Sequence, residues 1–165
     1  MDRELPLVNA FVSQIRMELI DNYKWRVILM YNDYFYIAEL TGSQESPPVR
    51  TYADGTTLFH VSRNGNEIRY RLAANNINNM TQAHIHVGRR NINGPVVAFL
   101  SSEAASLEEQ ETILEGFLTS ADLTGPLKDK SISDLVDLMN AGKAYVNIHS
   151  KSYPNGEIRG KITQH

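Results

Sequence analysis

Two hydrophobic periods divide the chain. Over Met1 to Asn22, Leu5, Val8, Val12, Ile15 and Leu19 recur at spacings of three and four, with Arg3, Glu4, Gln14, Arg16, Glu18 and Asp21 mostly between them. That spacing predicts an amphipathic helix, with Pro6 in its first turn, where a missing N–H costs nothing, and Asn22 as its stop. Such a helix either packs on its own domain or docks on a partner. Lys24 to Met30 reads equally as a strand or as a continuation of the helix. From Tyr34 the period falls to two, and short alternating segments recur between turn signals every ~8 to 12 residues, the pattern of an antiparallel sandwich or barrel. The candidate strands are Tyr34–Gly42, Gly55–Arg63, Glu67–Ala74, Thr81–Gly88, Pro95–Leu100, Thr112–Thr119, Lys143–Ser150 and Glu157–Gln164. The expected organisation is a helical extension over residues 1–33 and a β domain over 34–165.

One helix interrupts the strands between Ser131 and Asn140. Ile132, Leu135, Val136 and Met139 fall on one of its faces, Asp134 sits early, where the helix dipole favours an anion, and Gly142 follows the end. Turn chemistry registers two hairpins. Asn64-Gly65 signals a two-residue type I′ turn, which sets Val61 opposite Ile68, Phe59 opposite Tyr70 and Thr57 opposite Leu72. His60 is left on the solvent side with Arg69 and Arg71. In Tyr153-Pro154-Asn155-Gly156-Glu157, proline presets φ for a type I turn and glycine accepts the left-handed position after it. A three-residue loop closed by Tyr153 and Glu157 turns Val146, Ile148, Ile158 and Ile162 inward. His149 then shares the outer face with Glu157, Arg159 and Lys161, whereas a two-residue loop would place it among the isoleucines.

Composition narrows the functions. The chain has 165 residues, 42% of them hydrophobic, enough for one cored domain and a short appendage. No run approaches the roughly 18 apolar residues of a membrane-spanning helix. A net charge of -3 lacks the basic excess that phosphate neutralisation demands, so nucleic acid is not an expected partner. Arg16, Glu18 and Asp21 interrupt any apolar stretch that a secretory signal would use, so no export signal is expected. The absence of cysteine removes disulfides, thiolate metal sites and cysteine nucleophiles together. Glu103, Glu108, Glu109 and Glu111 read as a solvated acidic loop.

Three histidines carry the candidate chemistry. In Thr81–Gly88, Ala83, Ile85 and Val87 form the core face, and His84 and His86 project together from the other. Neutral imidazole suits zinc, copper, iron or nickel, so a histidine from a neighbouring strand would complete a set of three. His149 is the candidate. Arg159, Glu157 and Asn147 share its face and are candidates to orient an imidazole or to meet an anion. The alternative is that the histidines only tie loops to the sheet. Whether the two strands are neighbours is not readable from spacing. The sequence contains no GxSxG, phosphate-loop, HExxH or EF-hand pattern.

Several blocks, in order, resemble the CHRD domain, a module named from the secreted signalling antagonist chordin and also present in many bacterial proteins. They are AELTGSQESPPV at Ala38 to Val49, AHIHVG at Ala83 to Gly88, NGPVV at Asn93 to Val97, GKAYVNIH at Gly142 to His149 and GEIRG at Gly156 to Gly160. The resemblance spans Tyr36 to Thr163. It implies an all-β, immunoglobulin-like antiparallel sandwich or barrel, distantly similar to copper-zinc superoxide dismutase, and it implies no general biochemical activity. In the dismutases an H-x-H strand pair and a later histidine bind copper outside the barrel, beside an arginine that guides the anionic substrate. His84, His86, His149 and Arg159 look like that set. Only His60 and His165 remain for the other dismutase ligands, so full dismutase chemistry is not expected. The expected function is a noncatalytic binding or structural module with a protein partner or self-association, located in the cytoplasm or in a surface or spore-coat layer. The alternative is a metalloprotein holding copper or zinc at the three histidines.

Overall fold

The computed structural model describes residues 16–21 and 24–28 in backbone only, and residues 34–88, 92–102 and 111–165. The chain divides into two compact units, Met1–Asp33 and Tyr34–His165. In the first, β1 (Arg16–Asp21) and β2 (Lys24–Ile28) pair antiparallel. This corrects the expected helix over Arg16–Asp21 and settles Lys24–Ile28 as strand; Leu29 and Met30 lie outside the described residues. The residues responsible also alternate: Met17 lies opposite Val27, Leu19 opposite Trp25 and Glu18 opposite Arg26. Period two thus pairs apolar with apolar positions and acid with base, which a short isolated helix cannot match. Leu5, Val8 and Val12, on which the helical reading also rested, lie outside the described residues.

Among the described residues, the second unit contains nine strands. They are β3 (Phe35–Thr41), β4 (Asp54–Val61), β5 (Ile68–Asn75), β6 (Met80–Val87), β7 (Val96–Ser101), β8 (Glu111–Leu118), β9 (Ala144–Ser150), β10 (Ile158–Lys161) and β11 (Thr163–Gln164). All pair antiparallel in the order β7-β6-β9-β10-β3-β4-β5-β8, with β11 also on β3, and the sheet curls into a nearly closed barrel. Two devices bridge the seam between the end strands. Leu123 pairs with Ala98 of β7, and the Tyr70 hydroxyl donates to the Leu100 carbonyl at 2.8 Å. Alternation fills the interior: Tyr36, Ala38 and Leu40, then Phe59 and Val61, Ile68 and Leu72, Ala83 and Ile85, Val146 and Ile148, and Ile158 are all buried. Helix α1 (Ile132–Asn140) adds Ile132, Leu135 and Met139 to this core. Ser131 and Asp134 form its capping box, and Gly142 takes a φ of +63° beyond its end. No helix among the described residues is long and apolar enough to cross a membrane.

Both hairpins keep their expected faces with different turns. β4 and β5 pair Val61 with Ile68, Phe59 with Tyr70 and Thr57 with Leu72. The turn is not type I′, because Gly65 takes a positive φ of 71° and Asn64 does not. Instead, the Asn64 side chain accepts hydrogen bonds from the Asn66 N–H and the Ser62 hydroxyl, an Asx arrangement that supports a wider loop at the same register. The β9–β10 loop is also longer than three residues. Ile148 pairs with Ile158, where closure at Tyr153 and Glu157 would have brought it to Ile162. The Gly156 N–H closes a turn on the Tyr153 carbonyl, and a second turn links Tyr153 to Ser150. A displacement of four positions is even, so every side chain keeps its face. Glu111 opens β8 and so leaves the expected acidic loop; Glu103, Glu108 and Glu109 lie outside the described residues.

Candidate functional site

Strands β6, β9 and β10 are neighbours, and their outer face carries His84, His86, Asn147, His149 and Arg159, with Glu157 immediately before β10. β6 and β9 pair His84 with Asn147, His86 with Tyr145 and Gln82 with His149. On the other side of β9, Arg159 lies opposite Asn147. The face is covered. The Gly42–Ala53 segment crosses it, anchored where Asn147 donates to the buried Glu45 carboxylate and where the Thr51 hydroxyl donates to Glu157 at 2.7 Å. Ser150 also donates to Glu157. The Ile92–Gly94 segment is held from below by Arg159, which donates to the Ile92 carbonyl and to Asn93 Oδ1, each at 3.2 Å.

Under this cover the three histidines converge. Ring centroids are 5.4 Å apart for His84 and His86, 4.9 Å for His84 and His149, and 6.4 Å for His86 and His149. One nitrogen from each lies within 4.8 Å of the others. Two metal–nitrogen bonds of about 2.1 Å bridge at most about 4.2 Å, so small side-chain rotations would bring all three onto one ion. The hydrogen bonds decide which nitrogens are offered. His86 Nδ1 meets the Gly94 carbonyl at 2.8 Å, and His149 Nδ1 meets the Pro154 carbonyl at 2.9 Å. A carbonyl only accepts, so both Nδ1 atoms carry the proton and both Nε2 atoms present a lone pair. Those Nε2 atoms and His84 Nδ1 are buried with no hydrogen-bond partner. Buried ring nitrogens without a partner call for an explanation, and a three-imidazole metal site would supply one.

The electrostatics favour the neutral form of His84 and His86. Burial lowers the His84 pKa to about 4, helped by the neighbouring His149 and His86. Burial also lowers His86, against its bond to Gly94 and with the charges of His149 and Arg159 acting in the same direction as burial. Neutral imidazole is the ligand form. Phe99, opposite His84 on β7, sets its ring edge-on at 4.9 Å and closes that flank.

Arg159, Glu157 and Asn147 sit beside the histidines and make their described hydrogen bonds elsewhere. Asn147 serves Glu45 and the Ile158 carbonyl, Glu157 takes Thr51 and Ser150, and Arg159 grips the 92–94 segment. The backbone carbonyls of Gly94 and Pro154 orient the imidazoles instead. His60 lies away from this face, stacked on Phe35 at 4.7 Å. Sequence reading missed Tyr145, Glu45 and Gly94. Alternation along Ala144–Ser150 does put Tyr145 on the side of Asn147 and His149, whereas Glu45 lies in a stretch without period.

Fold and site together define a class: an antiparallel β-barrel module with three imidazoles gathered on its outer wall. The chain belongs to the CHRD domain family, which matches residues 36–162. It is also similar to chordin of Danio rerio, at 32% identity over 123 residues that make up 74% of this chain and 12% of that protein. The chain thus spans about an eighth of the length of that relative.

Proposed function

We propose that this CHRD domain is a noncatalytic metal-binding module that holds one copper or zinc ion through His84 Nδ1, His86 Nε2 and His149 Nε2. The observation that carries the reading is that the three imidazoles each bring one ring nitrogen within 4.8 Å of the others, and each has a buried nitrogen with no hydrogen-bond partner. Copper and zinc both accept three neutral imidazoles, and three protein ligands leave a coordination position for an external group. The kinship implied with the barrel of copper-zinc superoxide dismutase points to the same pair of metals. The test is metal analysis of protein purified without an affinity tag, before and after supply of each metal. One equivalent is expected in the wild type and less than a tenth of that in His84→Ala and His86→Ala. Absence of stoichiometric metal after supply ends the reading.

A second reading, favoured by a different observation, is a protein-binding or self-associating module of the kind that builds a surface or coat layer. Leu58, Ile113 and Phe117 stand exposed on the outer face of β4, β5 and β8. Solution mass with and without residues 1–30 tests self-association: a monomer in both cases removes it.

A further inference from the structure

Metal binding accounts for the three imidazoles and leaves open why a buried tyrosine lies against one of them. Tyr145 is 4% exposed. Its ring lies nearly parallel to that of His86, with centroids 5.0 Å apart and an interplanar angle of 7°. β9 runs between β6 and β10, so the Arg159 guanidinium approaches from the other side, 3.6 Å from the ring centroid. The Tyr145 hydroxyl accepts the Gly94 N–H at 3.0 Å. Gly94 is also the residue whose carbonyl receives the His86 Nδ1 proton. Tyr145 therefore touches His86 twice, through the ring face and through the residue that fixes its proton.

The rest of the loop is built to keep Gly94 there. Arg159 holds Ile92 and Asn93, and the Asn93 amide donates to the Ser46 carbonyl at 3.0 Å. A Cβ on Gly94 would stand 1.7 Å from the Val87 carbonyl oxygen, so only glycine fits this approach.

We propose that Tyr145 is a positioning residue of the metal centre: by holding Gly94 it selects the Nδ1–H tautomer of His86 and so turns the Nε2 lone pair toward the ion. A neutral imidazole carries one ring proton, and the partner of one nitrogen decides what the other offers. Its effect on metal affinity rests on the proposed metal-binding function, whereas the tautomer assignment does not.

The test compares wild type and Tyr145→Phe, which keeps the stacked ring and removes the hydroxyl. In metal-free, 15N-labelled protein above neutral pH, ring 1H–15N correlation spectra are expected to show His86 as a single Nδ1–H tautomer in the wild type and as a mixture in the variant. His149, held by Pro154, should be unchanged in both. Titration with zinc or copper should give the same stoichiometry with about tenfold weaker binding in the variant. Arg159→Lys keeps the charge and loses the fork to Ile92 and Asn93, and a weakening in the same direction is expected should Tyr145→Phe fail to fold. A wild type that binds no metal while the His86 tautomer shifts in the variant ends the metal reading and upholds the tautomer assignment. A folded variant with wild-type tautomer and wild-type affinity overturns the role of Tyr145.

Discussion

His84 on β6 and His149 on β9 meet edge to face, 4.9 Å between ring centroids, although their Cα atoms are not cross-strand partners. His149 lies diagonally across the ladder, opposite Gln82, and its side chain reaches back over the strand pair. The Nδ1 bond to Pro154 holds it there. Two imidazoles at this separation repel when both are protonated, and burial adds to the penalty.

Acid should therefore destabilise the metal-free protein in a specific window. The unfolded His84 titrates near 6.5 and the folded one near 4. Between those values the unfolded chain binds a proton that the fold excludes, so stability falls as pH drops from about 6.5 toward 4. Urea midpoints measured across this range should decline less in His84→Gln, with His86 supplying part of what remains. Equal slopes in the two proteins would refute the assignment.

Loss of the Asn147 side chain should expose the cost of the buried acid beneath the Gly42–Ala53 cover. Burial already raises the Glu45 pKa, opposed by the Asn147 hydrogen bond and by the charge of Arg159. Asn147→Ala leaves that carboxylate without its side-chain donor and should cost about 2–3 kcal/mol. In a double-mutant cycle with Glu45→Ala, the double variant should lose less than the two single losses added. Strict additivity in urea unfolding would show that the two residues do not act as a pair.

Gly160 of β10 packs tightly against the backbone of β3. A Cβ there would lie 2.2 Å from the Glu39 carbonyl oxygen, which is backbone and has little room to yield. Gly160→Ala should destabilise by about 3 kcal/mol. Gly65→Ala is the contrast: it has open space and a φ of +71°, so only conformational strain of about 1–2 kcal/mol is expected. Thermal unfolding should separate them, and a smaller loss at Gly160 than at Gly65 would contradict this account.

Removing the helix cap should have a modest and local effect. The Ser131 hydroxyl and the Asp134 carboxylate satisfy each other's backbone N–H groups at the start of α1. Ser131→Ala should cost about 1 kcal/mol. Faster amide exchange should be confined to the first turn of the helix; loss of protection across the barrel strands would mean that the cap supports more than α1.

Much of the β unit was legible in the sequence, because a strand half buried against one core must alternate. Ile148 and Ile158 had to turn inward, and His84, His86 and His149 were thereby sent outward together. The faces survived two wrong turn assignments, since the wider β4–β5 loop kept its register and the β9–β10 register moved by an even number of positions. The helical reading over Arg16–Asp21 failed for a related reason: Leu19 fits both periods, and a helix competes with a hairpin only when something covers its apolar stripe.

Local patterning thus determined strand positions, the face of each histidine and the cap of α1, all of which depend on residues adjacent in the chain. Only the tertiary structure decided that β6 and β9 are neighbours, that Gly94 and Pro154 fix the protons of two imidazoles, and that Glu45 and Arg159 lie buried on an outer face. Those outcomes depend on strand order and on loops folding back over the sheet. Such contacts join residues far apart in sequence, and alternation along a single strand carries no record of its partner.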